Sequence, residues 1–117
     1  MKIPRRLPLL RQMVQSRVRQ LVARGPVLAA SLVQIAKACG RPGCRCQSGH
    51  PHIGHVLTLK VAGKTRTVYV PQELLPEVQA WVKEHKRLKQ LAGEISQLSL
   101  ARVQGHVRDR QRRQGRP

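Results

Sequence analysis

The segment HVLTLKVAGKTRTVYV, residues 55–70, decides the fold, because it has the composition of a β-hairpin. Both of its arms are rich in β-branched residues, and Ala62-Gly63 lies between them. Glycine adopts the positive φ that a two-residue hairpin turn requires. Pro71 then ends the second arm, because proline cannot donate a hydrogen bond to a sheet ladder. We therefore predict an antiparallel hairpin here.

The chain after the hairpin has the pattern of one long amphipathic helix. Its apolar seam recurs at three- and four-residue spacing along Leu74, Val78, Trp81, His85, Leu88, Ala92 and Ile95. We predict a helix over 72–104, with a seam wide enough to pack against a sheet and another helix. On that seam, Trp81 and His85 are expected to be packing residues. The long helix could also pair with a second copy of the chain.

Two elements are predicted before the hairpin. Residues 27–37, VLAASLVQIAK, could form a strand or a helix, and their position before a cysteine-rich turn favours a strand near Ser31–Lys37. Residues 8–24 have helical periodicity, and Gly25-Pro26 ends them. This first helix is basic and amphipathic, as transit peptides are, but we interpret it as part of the mature fold.

These elements predict an α+β fold in which the N-terminal and C-terminal helices pack antiparallel over a small three-stranded antiparallel sheet that carries a zinc knuckle. One domain, 1–104, would hold the helix 8–24, a strand–knuckle–hairpin region over 28–70 and the long helix. Residues 105–117 are rich in arginine and almost devoid of apolar residues. We expect them to form a flexible basic tail that orders on phosphates.

A cluster of cysteines and histidines predicts the metal site. Cys39, Cys44 and Cys46 fall within eight residues, and His50 and His52 follow closely. Three thiolates and one imidazole match a tetrahedral zinc site. An odd number of cysteines without a secretory signal argues against a disulfide framework. We predict one structural Zn²⁺ held by the three cysteines and His52, with His50 as the alternative fourth ligand.

The charge predicts a polyanionic partner. Lys and Arg number 23 against five acidic residues, so the formal charge is +18, which destabilises a compact chain by self-repulsion. No apolar run approaches the roughly 18 residues that span a bilayer, so we expect a cytoplasmic protein that binds nucleic acid and not a membrane. Trp81 and Tyr69 are the only aromatic residues, too few for a base-stacking platform. The predicted phosphate contacts are Arg41, Arg45, Lys60, Lys64, Arg66, Arg108, Arg110, Arg112, Arg113 and Arg116.

Two stretches carry a resemblance to a known family: SLVQIAKACGRPGCRCQSGHPH (31–52) and GKTRTVYVPQELLPEVQAWVKEHKRLKQL (63–91). They resemble an uncharacterised prokaryotic family of small basic proteins. Its members share a Cys-Gly-x-Pro-x-Cys-x-Cys knuckle, a following histidine, a GKTR…YVP hairpin and a long C-terminal helix. The resemblance spans 31–98 and implies the fold, the metal and a role for His52 as its ligand. It also implies an association with mobile genetic elements.

The strongest enzymatic alternative is a single-strand nuclease or transposase that uses paired histidines and Tyr69 as the nucleophile. The carboxylates argue against it, because four lie along one helix and Asp109 lies in the tail, so none of them form a two-metal site. We therefore expect a non-catalytic binder of structured RNA or duplex DNA, as a subunit of a ribonucleoprotein or mobile-element complex. A ribosomal-type RNA-binding protein is the alternative within this class.

Overall fold

The structure is a computed structural model that describes residues 1–37, 43 and 52–115. It has the predicted α+β architecture, an N-terminal helix, a three-stranded antiparallel sheet and a long C-terminal helix. The strands follow one another in the order β1-β2-β3. The elements are α1 Leu7–Gln20, β1 Ser31–Lys37, β2 His52–Val61, β3 Lys64–Val70, a 3₁₀ turn Gln72–Leu74 and α2 Leu75–Gln114.

The predicted hairpin is confirmed and joins β2 to β3. Val61 pairs with Lys64, which leaves Ala62 and Gly63 as the two turn residues. Both have positive φ, 51° and 79°, as a type I′ turn requires. Gly63 takes this conformation without penalty, whereas the Cβ of Ala62 makes it unfavourable by about 1 kcal/mol.

The strand preferred for residues 31–37 is also confirmed, and its register with β2 decides which side chains share a face. Leu32 lies opposite Leu57, and β3 places Val68 opposite the same residue. Because side chains alternate along a strand, these residues share one face of the sheet, and Val33 and Val56 share the other.

The chain forms two compact units, of which residues 25–86 are one. Its core contains the buried side chains Leu57, Val70, Val78 and Val82, and Trp81 packs against them. This is the packing role predicted for Trp81. The Leu28 amide donates to the Trp81 carbonyl over 3.2 Å, which ties the segment before β1 to α2.

Residues 1–24 and 87–117 form the other unit, in which α1 packs against the C-terminal part of α2. Arg17 contacts Glu94, whereas Arg87 donates to the carbonyls of Gln20 and Val22. The contact later in α1 is made to a residue earlier in α2, so the two helices run antiparallel. The helix α1 ends at Gln20, four residues before its predicted end, and Arg87 donates to the carbonyl group of this last helical residue.

The long helix differs from its prediction at its far end. The sequence predicted a flexible tail from 105, but α2 continues to Gln114. Arginine and glutamine are good helix formers, and extending an existing helix avoids the cost of nucleation. Asp109 also lies four residues before Arg113, a favourable spacing, and Arg112 and Arg113 lie in the last turn near the negative end of the helix dipole.

Candidate metal site and nucleic-acid interface

Of the four zinc ligands predicted from the sequence, the described residues include only His52. His52 is the first residue of β2, is exposed, and lies opposite Lys37, the last residue of β1. Cys39, Cys44 and Cys46 lie outside the described residues, as does the alternative ligand His50. Within 1–37, 43 and 52–115, no three His, Cys, Asp or Glu side chains come together to hold a metal ion.

The register separates the two histidines of β2. His52 and His55 are three residues apart, so they lie on opposite faces of the sheet. His55 is half-buried and lies opposite Val70, on the face that forms the core. His52 and His55 therefore do not pair with each other, and His52 lies on the face away from the core, whereas the pair of His50 with His52 lies partly outside the described residues.

The three cations predicted for the hairpin do not share one face. Lys60 pairs with Thr65, and Leu59 pairs with Arg66. Arg66 therefore lies on the face of Leu57 with Lys64, whereas Lys60 lies on the opposite face. All three side chains are exposed close to the turn. The structure thus brings Lys64 and Arg66 together and separates them from Lys60.

The sheet face opposite the core has an exposed apolar surface, which sequence reasoning missed. Tyr69 is 57% exposed and Val33 is 43% exposed. A Cβ placed on Gly54 would lie 3.7 Å from Cε2 of Tyr69 and 3.6 Å from Cγ1 of Ile35, so both side chains lie over the glycine. The alternation of β1 and β3 was the signal that could have indicated this surface.

The arginines that the sequence assigned to a tail lie on the last turns of α2. Arg108, Arg110, Arg112 and Arg113 are all exposed. Residues 105–114 rise about 15 Å along the helix axis, so the guanidinium groups start from fixed positions along that length. Arg116, together with Arg41 and Arg45 of the knuckle, lies outside the described residues.

The nuclease or transposase alternative depends on paired histidines and on Tyr69 as the nucleophile. Tyr69 lies opposite Val56, on the sheet face away from His55. Among the carboxylates, Glu94 contacts Arg17 in the other unit, and Glu73 lies in the 3₁₀ turn. The register therefore separates Tyr69 from His55, whereas His52 lies on the same face as Tyr69 but four residues along β2 from Val56.

The fold and its charge define a small basic α+β protein with a three-stranded antiparallel sheet. The chain belongs to the family described as Domain of unknown function (DUF6788), whose model matches residues 11–80. This region begins earlier than the resemblance over 31–98 and ends sooner, within the first turns of α2. No curated protein and no solved structure matches the chain significantly. In the part of the chain that is described, no helix has the length and apolar content to cross a membrane.

Proposed function

We propose that this protein is a non-catalytic nucleic-acid-binding protein with one structural Zn²⁺. The observation that carries the proposal is the C-terminal part of α2. From 102 to 113 it has five exposed arginines and one acidic residue, Asp109. Like charges one turn apart on a helix repel one another, and nucleic-acid phosphates would relieve that repulsion.

The distribution of aromatic residues favours structured nucleic acid over single strands. Single-strand binders stack successive bases on several aromatic rings. Trp81 packs against the core, which leaves Tyr69 as the one exposed aromatic side chain of a chain that has two. Phosphate contacts from the exposed cations therefore provide most of the binding free energy, and duplex DNA or folded RNA presents the denser array of phosphates.

The zinc site is supported by the pairing of Lys37 with His52. The Cα atoms of opposed residues in an antiparallel pair lie about 4.5–5.5 Å apart. Cys39 follows Lys37 by two residues, a span of at most about 7 Å. The chain connection is therefore short enough to allow the first cysteine and His52 to bind the same metal ion. Zinc, when bound by Cys39, Cys44, Cys46 and His52, would have a closed coordination sphere and would stabilise the fold.

The biological setting we propose is a cytoplasmic ribonucleoprotein or mobile-element complex, with a ribosomal-type RNA-binding role as the alternative. Such complexes also supply protein partners. A second copy of the chain is one candidate, since Leu100, Val103 and Val107 form an exposed stripe at helical spacing on α2.

The experiment that tests the proposal compares purified protein on a hairpin RNA, a DNA duplex and oligo-dT of matched length. We expect binding of the two structured ligands at physiological salt, with weaker binding of oligo-dT. Isolation of the tagged protein from its host without nuclease, followed by sequencing of the co-purified nucleic acid, identifies the natural ligand. A protein that binds none of the three and carries no nucleic acid would contradict the proposal.

A further inference from the structure

The unit formed by residues 1–24 and 87–117 contains a cavity that no predicted site includes. Its volume is about 290 Å³, and it lies between the N-terminal segment and the C-terminal part of α2. Pro4 and Leu7 line it from one side, and Ala101 and Gly105 line it from the other. Its size is close to the lower end of the range for small-molecule sites, so it can hold one compact group.

Three arginines line this cavity. Arg5 approaches from the N-terminal segment, and Arg102 and Arg108 from α2. Gly105 lies midway between the two helical arginines, three residues from each, so all three positions share one side of the helix. A Cβ built on Gly105 meets no atom within 4 Å. The glycine therefore leaves open space on the helix between positions 102 and 108, which also line the cavity.

The charges around the cavity are unbalanced. Asp109 is the one carboxylate that lines it, against three guanidinium groups. Within the described residues, none of the three arginines makes an ion pair. Arg17 and Arg87 of the same unit differ, because they contact a carboxylate and two carbonyl groups respectively. Arg5, Arg102 and Arg108 are exposed, but three cations that line one cavity with a single carboxylate still repel one another, and a bound anion would lower that repulsion.

We propose that this cavity binds one phosphate group, between the guanidinium groups of Arg5, Arg102 and Arg108. Guanidinium groups form bidentate hydrogen bonds with phosphate oxygens, and three of them can surround one group. The inference rests on the proposed function, because the phosphate would belong to a nucleic-acid backbone that runs over the end of α2. A free phosphate or a nucleotide has the same chemistry, and the experiment below distinguishes these sources.

Two pairs of variants test the site against matched controls. R102Q/R108Q removes two cations that line the cavity, and R110Q/R113Q removes two from the same helix that do not. Gly105→Leu places a side chain in the cavity, and Gly93→Leu places one at an exposed glycine of α2 outside the cavity, where a Cβ also meets nothing. Both leucine variants should make the helix more stable to a similar extent, because both replace a mid-helix glycine.

The measurements are binding of a 12-base-pair duplex, and backbone NMR shifts on titration with inorganic phosphate against chloride at constant ionic strength. We expect R102Q/R108Q to weaken duplex binding about tenfold more than R110Q/R113Q does, since it loses direct hydrogen bonds as well as charge. Gly105→Leu should weaken binding where Gly93→Leu does not. Duplex and inorganic phosphate should shift the same amides around Gly105.

The outcomes separate the cavity from the proposed function. Duplex binding that falls equally in R102Q/R108Q and R110Q/R113Q, and is unchanged in Gly105→Leu, would overturn the cavity site and leave nucleic-acid binding standing. A protein that binds no duplex but shows saturable phosphate shifts, lost in Gly105→Leu, would overturn the proposed function and support a site for free phosphate or a nucleotide. No shift around Gly105 with either probe would overturn the inference.

Discussion

The guanidinium Nε of Arg17 lies 3.4 Å from Oε2 of Glu94, which joins α1 to α2 within one unit. The side chains are 19% and 24% exposed, so the pair is mostly shielded from solvent. The Nε itself is buried without a hydrogen-bond partner, so the contact is an ion pair without hydrogen-bond geometry. Another nitrogen of the same group donates to the Met13 carbonyl over 3.3 Å. Arg17 thus lies on the apolar stripe of α1 with its charge partly compensated.

Glu94→Gln should therefore destabilise this unit by about 1 kcal/mol, because it leaves a mostly shielded guanidinium group without its countercharge. The measurement is the free energy of unfolding by denaturant. R17M and R17M/E94Q complete a double-mutant cycle that isolates the coupling between the two residues. A coupling energy near zero would show that the contact contributes nothing to stability.

The interior of α2 gives a second stability test. Leu98 is 0% exposed, and Leu100, two residues further along α2, is 55% exposed. Leu98→Ala should cost about 2–5 kcal/mol, because it removes a fully buried side chain and leaves a cavity. Leu100→Ala has the same chemistry and should cost less than about 0.5 kcal/mol. An equal loss of unfolding free energy in the two variants would contradict the burial of Leu98 and the exposure of Leu100.

The local signals in the sequence predicted most of the fold. The hairpin over 55–70 was predictable because its β-branched arms indicate two strands and Ala62-Gly63 indicates the turn between them. The strand Ser31–Lys37 was less certain, because a short apolar run is compatible with a helix, and its pairing with β2 decides it. The helix ends were the weakest part, because they depend on tertiary contacts. Arg87 satisfies carbonyl groups at the end of α1 from a distant part of the chain.

The candidate sites were less predictable than the fold, since residue types do not reveal which side chains face one another. Lys60, Lys64 and Arg66 are close in sequence, yet the register divides them between two faces. Arg5 and Arg102 were not predicted as phosphate contacts, because their shared cavity forms only when α1 packs against α2. The sequence could not indicate that packing by charge or spacing alone.

The zinc prediction is tested by metal analysis of purified protein. We expect about one zinc per chain, and loss of both zinc and sheet structure in Cys44→Ser or Cys46→Ser, because a structural zinc contributes folding free energy directly. His52→Ala should have nearly the same effect, since His52 starts β2 opposite Lys37. His50→Ala is the matched control and should retain the metal. If His50→Ala loses the zinc and His52→Ala keeps it, His50 is the fourth ligand.

If the protein is not catalytic, Tyr69→Phe should not change how it acts on nucleic acid. The ring lies on an exposed sheet face, and phenylalanine keeps its position over Gly54, so the variant should still fold and bind duplex. We expect neither the wild-type protein nor the variant to cleave or join single- or double-stranded DNA or RNA with Mg²⁺ or Mn²⁺. A covalent protein–DNA adduct on a denaturing gel, absent in Tyr69→Phe, would establish a tyrosine nucleophile and contradict the proposed function.

The cations of the hairpin and those of α2 should affect binding differently. Each phosphate contact releases counterions, so the slope of log K against log salt changes by about 0.9 per contact on duplex DNA. R110Q/R112Q/R113Q should flatten that slope by about 2–3 and weaken binding to RNA hairpin, DNA duplex and oligo-dT alike, because these arginines contact backbone phosphates on any nucleic acid. K64Q/R66Q should flatten the slope by less than about 2 but reduce the preference for structured ligands, since Lys64 and Arg66 share one face of a rigid hairpin. Salt titrations of both variants against the three ligands measure the two effects separately. A change of ligand preference in the α2 variant with an unchanged salt slope would show that the helix, and not the hairpin, recognises the shape of the nucleic acid.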